Sequence, residues 1–387
     1  MKETKHTIWS YDFTILFFST CIAYLGQFMM STLLPKYLSH MELPSTVVGL
    51  VISMFSVTAL GSRPFIGPLI DGYNKNKLFR IALGFMLFSF FGYIVSKSVV
   101  LLCVFRLTHG VGLGCFAALA LTMVSEAVPA DKLASGIGVY GLSSVLATAA
   151  GPGIGLAIVE RFGYKAAFVF AASLLIVAMF LSLRMKPKND REYKVVFRLN
   201  NIISRQALVP AFIMFMACLA RAGITTFLVV LVTDVRNIGG ISTYYVINAV
   251  ALMASRPLMG KISDKKGLHV TMMISFVLFT LNLVTVAFCH STPVLYLAAV
   301  LNAFGFGATQ PAAQAMGLKL AGPDNRGAAS NTVFIGIDMG DLLGPIICGA
   351  LVDLFNYEVM FLTSILPVVV SVFVLLWWVK RNREKLA

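Results

Sequence analysis

Long apolar runs separated by short polar segments dominate this chain of 387 residues. Each run is about 20 residues long, the length that an α-helix needs to cross roughly 30 Å of hydrocarbon. The pattern predicts an all-α membrane protein with twelve transmembrane helices. We place them near residues 10–35, 45–66, 79–96, 98–126, 134–158, 165–183, 208–232, 243–261, 269–289, 294–318, 329–352 and 358–379.

A repeat divides this pattern into two halves. Segment 62–71 reads Ser-Arg-Pro-x-x-Gly-x-x-x-Asp, and segment 255–264 has the same pattern 193 positions later. A repeat of this length indicates two equivalent halves, which is how many transporters surround one central site. We predict a six-helix bundle at residues 1–183, a cytoplasmic linker at 184–207 and a second six-helix bundle at 208–387.

Composition and charge agree with a place in the bilayer. Only 12% of the residues are charged, whereas soluble domains have about 25%. If the amino terminus is inside, 22 of the 31 lysines and arginines fall on the cytoplasmic side and five in the outer loops. Because positive loops are retained in the cytoplasm, both termini are predicted to be cytoplasmic, in a plasma or inner membrane. This topology also explains the formal net charge of +14, so no nucleic-acid partner is expected.

Several other chemistries lack their signatures. The six cysteines lie inside apolar runs without metal-ligand spacing, and the chain has no Gly-rich phosphate loop of the Walker type. We therefore expect no metal, no cofactor and no ATP hydrolysis, so uphill transport must use an ion or substrate gradient. A membrane-embedded receptor or enzyme is a weaker alternative, because no catalytic cluster or soluble domain is evident.

The first copy of the repeated segment points to a family. Residues 67–72, Gly-Pro-Leu-Ile-Asp-Gly, form a predicted turn that resembles the motif between helices 2 and 3 of the major facilitator superfamily. The family pattern continues with a glycine and two arginines, whereas this chain has Tyr-Asn-Lys-Asn-Lys at 73–77. The resemblance covers essentially the whole chain. It implies the major facilitator fold and is nearest to the twelve-helix drug/proton antiporters.

Both copies of this segment are candidate cytoplasmic gates. A carboxylate at a helix end beside basic groups can cap backbone amides and form an ion pair that closes the cytoplasmic side. The alternative is that the two loops only set the topology. The candidate gating residues are Arg63, Gly67, Asp71, Arg256, Gly260 and Asp264.

The fourth predicted helix carries an arginine. Segment 106–114 resembles the helix 4 motif of proton-linked family members, an arginine followed by Gly-x-Gly. The guanidinium of Arg106 keeps its proton, so within lipid it must be paired or hydrated, and such groups usually mark a pathway. Arg106 can instead snorkel to the interface. His109 can titrate near neutral pH, or can be a hydrogen-bonded packing residue.

The fifth predicted helix bears on transport direction. Gly141, Ala147 and segment 151–155 resemble the motif that the family shows chiefly in exporters, although the terminal Gly-Gly is here Gly-Leu. Glycines let helices approach closely, and proline removes a backbone hydrogen bond. The alternative is a tightly packed helix without directional meaning. The candidate hinge residues, including the repeat counterparts, are Gly151, Pro152, Gly155, Gly344 and Pro345.

The eleventh predicted helix contains two acidic residues that have no counterpart in the first half. At about 100° per residue, Gly336, Gly340 and Gly344 form one stripe, while Asp338 and Asp341 share another face. Two carboxylates this close repel when both are charged, which favours retention of a proton on one of them. This is the chemistry of a proton carrier. The alternative is structural pairing with a neighbouring arginine.

Polar residues on cavity-lining helices suggest a substrate site. The family resemblance implies that helices 1, 4, 7 and 10 line the cavity, and an arginine there can bind a carboxylate. The candidate substrate residues are Gln27, Arg221, Asn302, Gln310 and Gln314. Any of them can instead satisfy a polar neighbour.

These features together predict a secondary transporter. We expect a monomeric, proton-coupled exporter of a small organic molecule, either a drug-like amphiphile or a secreted metabolite such as a metallophore. Asp338, Asp341, Arg106 and His109 are the candidate coupling residues. An importer or exchanger of small organic anions or nutrients is the alternative, supported by Arg106 and Arg221.

Overall fold

The computed structural model describes residues 8–96, 98–129, 133–185, 203–321 and 326–381. These residues are almost entirely helical, and none of them forms a strand. Most of the predicted linker lies outside the described residues, as do the side chain of Asp71 and the surroundings of Gly67.

Thirteen α-helices follow one another in the described chain. They are α1 (Tyr11–His40), α2 (Ser45–Gly72), α3 (Lys75–Val95), α4 (Val99–Ala127), α5 (Leu133–Leu183), α6 (Leu208–Val230), α7 (Ile241–Lys266), α8 (Leu268–Ala287), α9 (Thr292–Phe304), α10 (Phe306–Ala321), α11 (Arg326–Leu354), α12 (Tyr357–Thr363) and α13 (Ile365–Arg381). A short 3₁₀ turn, Arg205–Ala207, precedes α6, and a π turn, Leu231–Val235, follows it.

The helices account for the predicted membrane crossings. Ten stretches of the described chain are long and apolar enough to cross a membrane. One of them, Val139–Leu183, includes Gly163 with a non-helical φ of 80°, so it supplies two crossings. Helix α7 is less apolar, but its 26 residues are long enough to add another. The all-α membrane fold is thus confirmed, and these helices together are long enough to supply the twelve predicted spans.

The predicted turns at the two repeated segments are wrong. Helix α2 continues to Gly72, and only Tyr73 and Asn74 separate it from α3, whose amide at Lys77 donates to the Asn74 side chain at 3.0 Å. The second copy likewise lies within α7, which continues to Lys266. The apolar pattern stops before these helices do, because a helix can extend beyond the hydrocarbon with polar side chains.

Two predicted spans are interrupted. The tenth is divided into α9 and α10 at Gly305, whose backbone has φ −77° and ψ −92°. A Cβ at Gly305 would lie 2.7 Å from the backbone of Phe279 on α8, so this position requires glycine for the close approach. The twelfth span is divided into α12 and α13 at Ser364.

The chain forms two compact units. Unit 1 contains the described residues of Met1–Met30 and Gly61–Phe197, and unit 2 contains those of Ser31–Leu60 and Arg198–Ala387. In unit 1, α3 packs on α4 and α5. In unit 2, α6 packs along α11, α10 contacts both of them, and α7, α8 and α9 form a neighbouring group. The predicted domain boundaries at 183 and 208 stay a prediction.

Candidate functional site

Helix α11 approaches α6 through its glycines. A Cβ at Gly336 would lie 2.1 Å from the carbonyl oxygen of Ala211, and a Cβ at Gly340 would lie 2.5 Å from the Cβ of Cys218. Gly344 faces Ala222 in the same way, at 2.4 Å. The glycine stripe therefore brings the backbones of α6 and α11 together, and the acidic face of α11 lies at the margin of this contact.

Asp341 forms an ion pair with Arg221 of α6. The Nη2 atom of Arg221 donates to Oδ1 of Asp341 at 2.8 Å and to Oδ2 at 3.0 Å. The arginine and aspartate side chains keep 24% and 32% of their exposure, so the pair is only partly enclosed. The pairing with an arginine that the sequence left open as an alternative is therefore present, and Arg221, a candidate substrate residue, directly contacts a candidate proton site.

An aromatic ring completes this group. The guanidinium carbon of Arg221 lies 4.5 Å from the ring centroid of Phe306, the first residue of α10. A cation over an aromatic face is attracted by the ring quadrupole, by about 0.5–2 kcal/mol. The ring in turn packs against Phe279 of α8, with 5.8 Å between centroids. We call Arg221, Asp341 and Phe306 the charged cluster.

Asp338 is more enclosed than Asp341. It is 8% exposed, three residues earlier on α11. Cys218, one turn before Arg221, is fully buried and lies close to both carboxylates and to the guanidinium. The structure thus places Asp338 and Asp341 on the same side of α6. Asp341, the more exposed of the two, forms the ion pair with Arg221.

The other substrate candidates of unit 2 lie on α9 and α10. Asn302 accepts a hydrogen bond at 3.4 Å from the amide of the buried Asn282. Gln310 and Gln314 follow Phe306 at intervals of four residues, so the three share one face of α10. Both glutamines are partly exposed, and Pro311 lies between them inside the helix.

In unit 1, Arg106 and His109 lie in a closed aromatic environment. The Tyr93 hydroxyl is 3.2 Å from Nδ1 of His109 and also interacts with the Arg106 guanidinium. Arg106 is 6% exposed and His109 is fully buried, with its ring edge-on to Phe90 at 5.1 Å. The structure therefore brings these two coupling candidates together around Tyr93, inside unit 1.

Gln27 and the first hinge candidates belong to unit 1 as well. Gln27 on α1 is 7% exposed. A Cβ at Gly151 would lie 3.0 Å from the carbonyl oxygen of Leu25, which brings α5 close to α1. Helix α5 continues through Pro152 and the buried Gly155 and leaves helical φ and ψ at Gly163 instead. Helix α11 likewise continues through Gly344 and Pro345.

The gating candidates are spread over helix ends. Arg256, Gly260 and Asp264 are exposed on the last turns of α7, and Arg63 lies part-buried on α2. A basic residue at the start of α3 does form an ion pair, since Lys75 lies 3.0 Å from Glu126 of α4. This pair borders a cavity of about 240 Å³ at that end of unit 1.

Sequence reasoning missed Phe306, Cys218 and Tyr93. Phe306 had a usable signal, because it shares the α10 face with two glutamines that were singled out. Cys218 and Tyr93 had none, since each takes its meaning from a partner on another helix. Within the described residues, no group of three or more His, Cys, Asp or Glu side chains is arranged to hold a metal ion.

Comparisons with known proteins agree on one family. The sequence profile of the Major Facilitator Superfamily matches residues 16–281 and again residues 211–387. The multi-drug resistance efflux pump PmrA of Streptococcus pneumoniae serotype 4 is 24% identical over 379 residues, covering 90% of this chain and 93% of the pump. The riboflavin transporter RibZ of Clostridioides difficile is 23% identical, covering 70% of this chain and 72% of the transporter.

A solved structure gives the same result for the fold. The nucleoside transporter NupG superposes with a TM-score of 0.77 over 95% of this chain and 99% of that chain, at 15% identity. The family profile spans nearly the whole sequence, and the relatives are transporters rather than enzymes. The chain therefore belongs to the Major Facilitator Superfamily and is a multi-pass membrane transporter.

Proposed function

We propose that this transporter exports a small organic molecule in exchange for protons, as a monomer in a bacterial plasma membrane. The charged cluster carries this proposal, because its ion pair lies within membrane-crossing helices and both side chains retain some exposure. Charged groups at membrane depth usually mark a substrate or ion pathway. The similarity to the pump PmrA supports export of drug-like amphiphiles.

The ion pair supplies a way to couple the two fluxes. While Asp341 is ionised, it neutralises Arg221. When Asp341 takes up a proton, Arg221 loses its anionic partner and becomes available for a carboxylate or another acceptor on the substrate. Proton binding and substrate binding thus act on the same guanidinium, and Asp338, three residues away, disfavours a second negative charge on that face.

The cluster also suggests what the substrate looks like. Phe306 offers an aromatic face, and Arg221 offers hydrogen-bond donors beside it. Gln310 and Gln314 continue the same face of α10 with uncharged polar groups. This combination suits a planar, amphipathic molecule with at least one acceptor. Drug-like compounds and secreted chelators both fit this description.

Import or exchange of an organic anion is the second candidate. A partly exposed arginine is also suited to recruit an anion, and RibZ is a transporter of riboflavin. The two candidates differ in direction. Uptake of riboflavin into right-side-out vesicles would favour import, whereas accumulation of ethidium in inside-out vesicles would favour export.

Reconstituted vesicles with an imposed pH gradient test the coupling. Ethidium and riboflavin serve as probes, and an entrapped pH dye reports proton flux at the same time. We expect Asp341→Asn, which mimics a permanently protonated acid, to retain probe exchange and to lose gradient-driven accumulation by about tenfold or more, the change that 1.4 kcal/mol produces. Glu358→Gln is the matched control, since Glu358 pairs with Arg236 at 3.1 Å away from the charged cluster. Coupling that survives in the double variant Asp338→Asn, Asp341→Asn would overturn the proposal.

A further inference from the structure

Helix α2 begins without a cap of its own and receives one from α11. Residue 44, before the helix, is proline, which has no side-chain acceptor for the first amides. Asp353 in the last turn of α11 supplies it instead. Its Oδ1 accepts from the amide of Ser45 at 2.8 Å, and its Oδ2 accepts from the amide and the hydroxyl of Thr46, both at 2.7 Å.

Two glycines bring the same helices into backbone contact. A Cβ at Gly49 would lie 2.0 Å from the carbonyl oxygen of Pro345, and a Cβ at Gly349 would lie 2.2 Å from that of Ser45. No larger side chain fits at either position without separating the helices. The carboxylate therefore caps α2 only while the helices touch, so the hydrogen bonds and the backbone contact form and break together.

A second charged contact lies on the neighbouring helix. Lys36 of α1 donates to Asp234 and to Thr233 in the π turn after α6. Lys36 is 14% exposed, and Asp234 is 44% exposed. Both contacts, the Asp353 cap and this ion pair, involve residues 31–60, the one described part of the first half of the chain that belongs to unit 2.

The division of the units follows these contacts. Helix α1 passes from unit 1 to unit 2 after Met30, and α2 passes back after Leu60. Segment 31–60 is thus joined at both ends to unit 1 while its own contacts are made in unit 2. In the alternating-access cycle that the proposed function assumes, the contacts of this segment with the rest of unit 2 are the ones that would break when one side opens.

We propose that Asp353, with the Lys36–Asp234 pair, is a releasable latch that holds segment 31–60 on unit 2 and closes one end of the transport path. The inference rests on alternating access, as in the proposed function. The latch is not duplicated by the repeat. The offset of 193 relates Asp353 of α11 to Glu160 of α5, and it relates α2 to α7. The residue that precedes α7 is Gly240, and no side-chain cap hydrogen bond is formed there. The charge bias predicts that the latched end faces outside.

Distance measurements test the latch without any transported substrate and without an imposed pH gradient. Spin labels at Glu42→Cys and His290→Cys, in a background lacking the six native cysteines, report the separation of segment 31–60 from unit 2. We expect Asp353→Asn to raise the population of the longer distance about threefold or more, since loss of a charge-assisted hydrogen bond shifts an equilibrium at least this far. Glu160→Gln is the matched control and should leave the population of the longer distance unchanged. An unchanged distance distribution in a folded Asp353→Asn protein would overturn the latch.

A reversible cross-link shows whether the contact must open. The Oδ2 atom of Asp353 and the hydroxyl of Thr46 are 2.7 Å apart, so a pair of cysteines at these two positions is the one to test for disulfide formation under an oxidant. We expect oxidation of the Thr46→Cys, Asp353→Cys variant to stop ethidium or riboflavin exchange and reduction to restore it. Equal exchange in both states would mean that the contact is permanent packing. The distance test needs neither substrate nor a pH gradient, so an unchanged distribution in Asp353→Asn would overturn the latch and leave the coupling proposal intact, whereas coupling that survives loss of Asp338 and Asp341 would overturn only the coupling.

Discussion

Arg221 shows how one side chain is accommodated in an apolar helix. Its guanidinium keeps its charge under all conditions in proteins, so it needs acceptors or a polarisable surface. Asp341 supplies the acceptors through two hydrogen bonds from Nη2, and Phe306 supplies the aromatic face. The Nε atom is buried and has no hydrogen-bond partner among the described residues. The charge of Arg221 is therefore paired, but its buried Nε–H is left as a donor without an acceptor, which lowers rather than raises stability.

Replacement of Arg221 by lysine tests the planar group at constant charge. An ammonium can still pair with Asp341, but it cannot stack on Phe306 as a planar guanidinium does. We expect the KM for the transported probe to rise about fivefold, the change that a cation–π loss of about 1 kcal/mol produces. Transport kinetics in vesicles measure this change.

Arg236→Lys serves as the control for that substitution. Arg236 donates to the backbone carbonyls of Val286, Ala287 and Cys289 at the end of α8 and pairs with Glu358. The Arg236→Lys variant loses most of these hydrogen bonds, so we expect a lower thermal stability and an unchanged KM. If both arginine variants change the KM equally, the charged cluster has no special role in binding.

At the scale of helices, glycine position decides which elements touch. The stripe Gly336, Gly340 and Gly344 is readable from the sequence at about 100° per residue, but only the structure shows that it packs on α6. The break at Gly305 was not foreseen, because the predicted tenth span runs through this position without an interruption. The bend arises from the approach of Phe279 on α8, which no local pattern reports.

The close approach of α11 to α6 gives a stability prediction. In Gly336→Ala the new Cβ would meet the backbone oxygen of Ala211 at 2.1 Å, so the helices must separate. Overpacking of this kind costs about 1–3 kcal/mol. We expect a lower midpoint of thermal unfolding for the purified protein in detergent.

Gly84→Ala is the matched control on α3. No atom lies within 4 Å of a Cβ placed at Gly84, and alanine is favoured over glycine in a helix by about 1 kcal/mol. Its unfolding midpoint should be equal to or above that of the parent protein. A Gly336→Ala midpoint as high as this control would mean that the α6–α11 contact is looser than described.

At the scale of the whole molecule, the charge distribution predicts which way the chain crosses the membrane. With 22 of 31 basic residues on one side, tags at both termini and within 184–207 should be inaccessible from outside in intact cells. A tag after Glu42, between α1 and α2, should be accessible. Impermeant labelling before and after permeabilisation measures this. Labelling of the linker in intact cells would reverse the topology.

What the sequence determined by itself is what depends on local composition. Apolar runs of about 20 residues must be helices in lipid, because every backbone amide and carbonyl there needs an internal partner. The 193-residue repeat and the motifs at 67–72 and 106–114 were enough to reach the family, which the profile match confirmed. Helix spacing also placed Asp338 and Asp341 on a common face.

Only the tertiary structure decided which polar groups meet. Arg221 and Asp341 are 120 residues apart, and Thr46 and Asp353 are 307 apart. Helical spacing fixes the face on which a side chain lies but not the helix that covers that face, since covering depends on how backbones approach at Gly49, Gly340 or Gly349. For that reason Asp353, unremarkable in the sequence, became the cap of a distant helix, whereas Asp264, prominent in the repeat, is exposed at the end of α7.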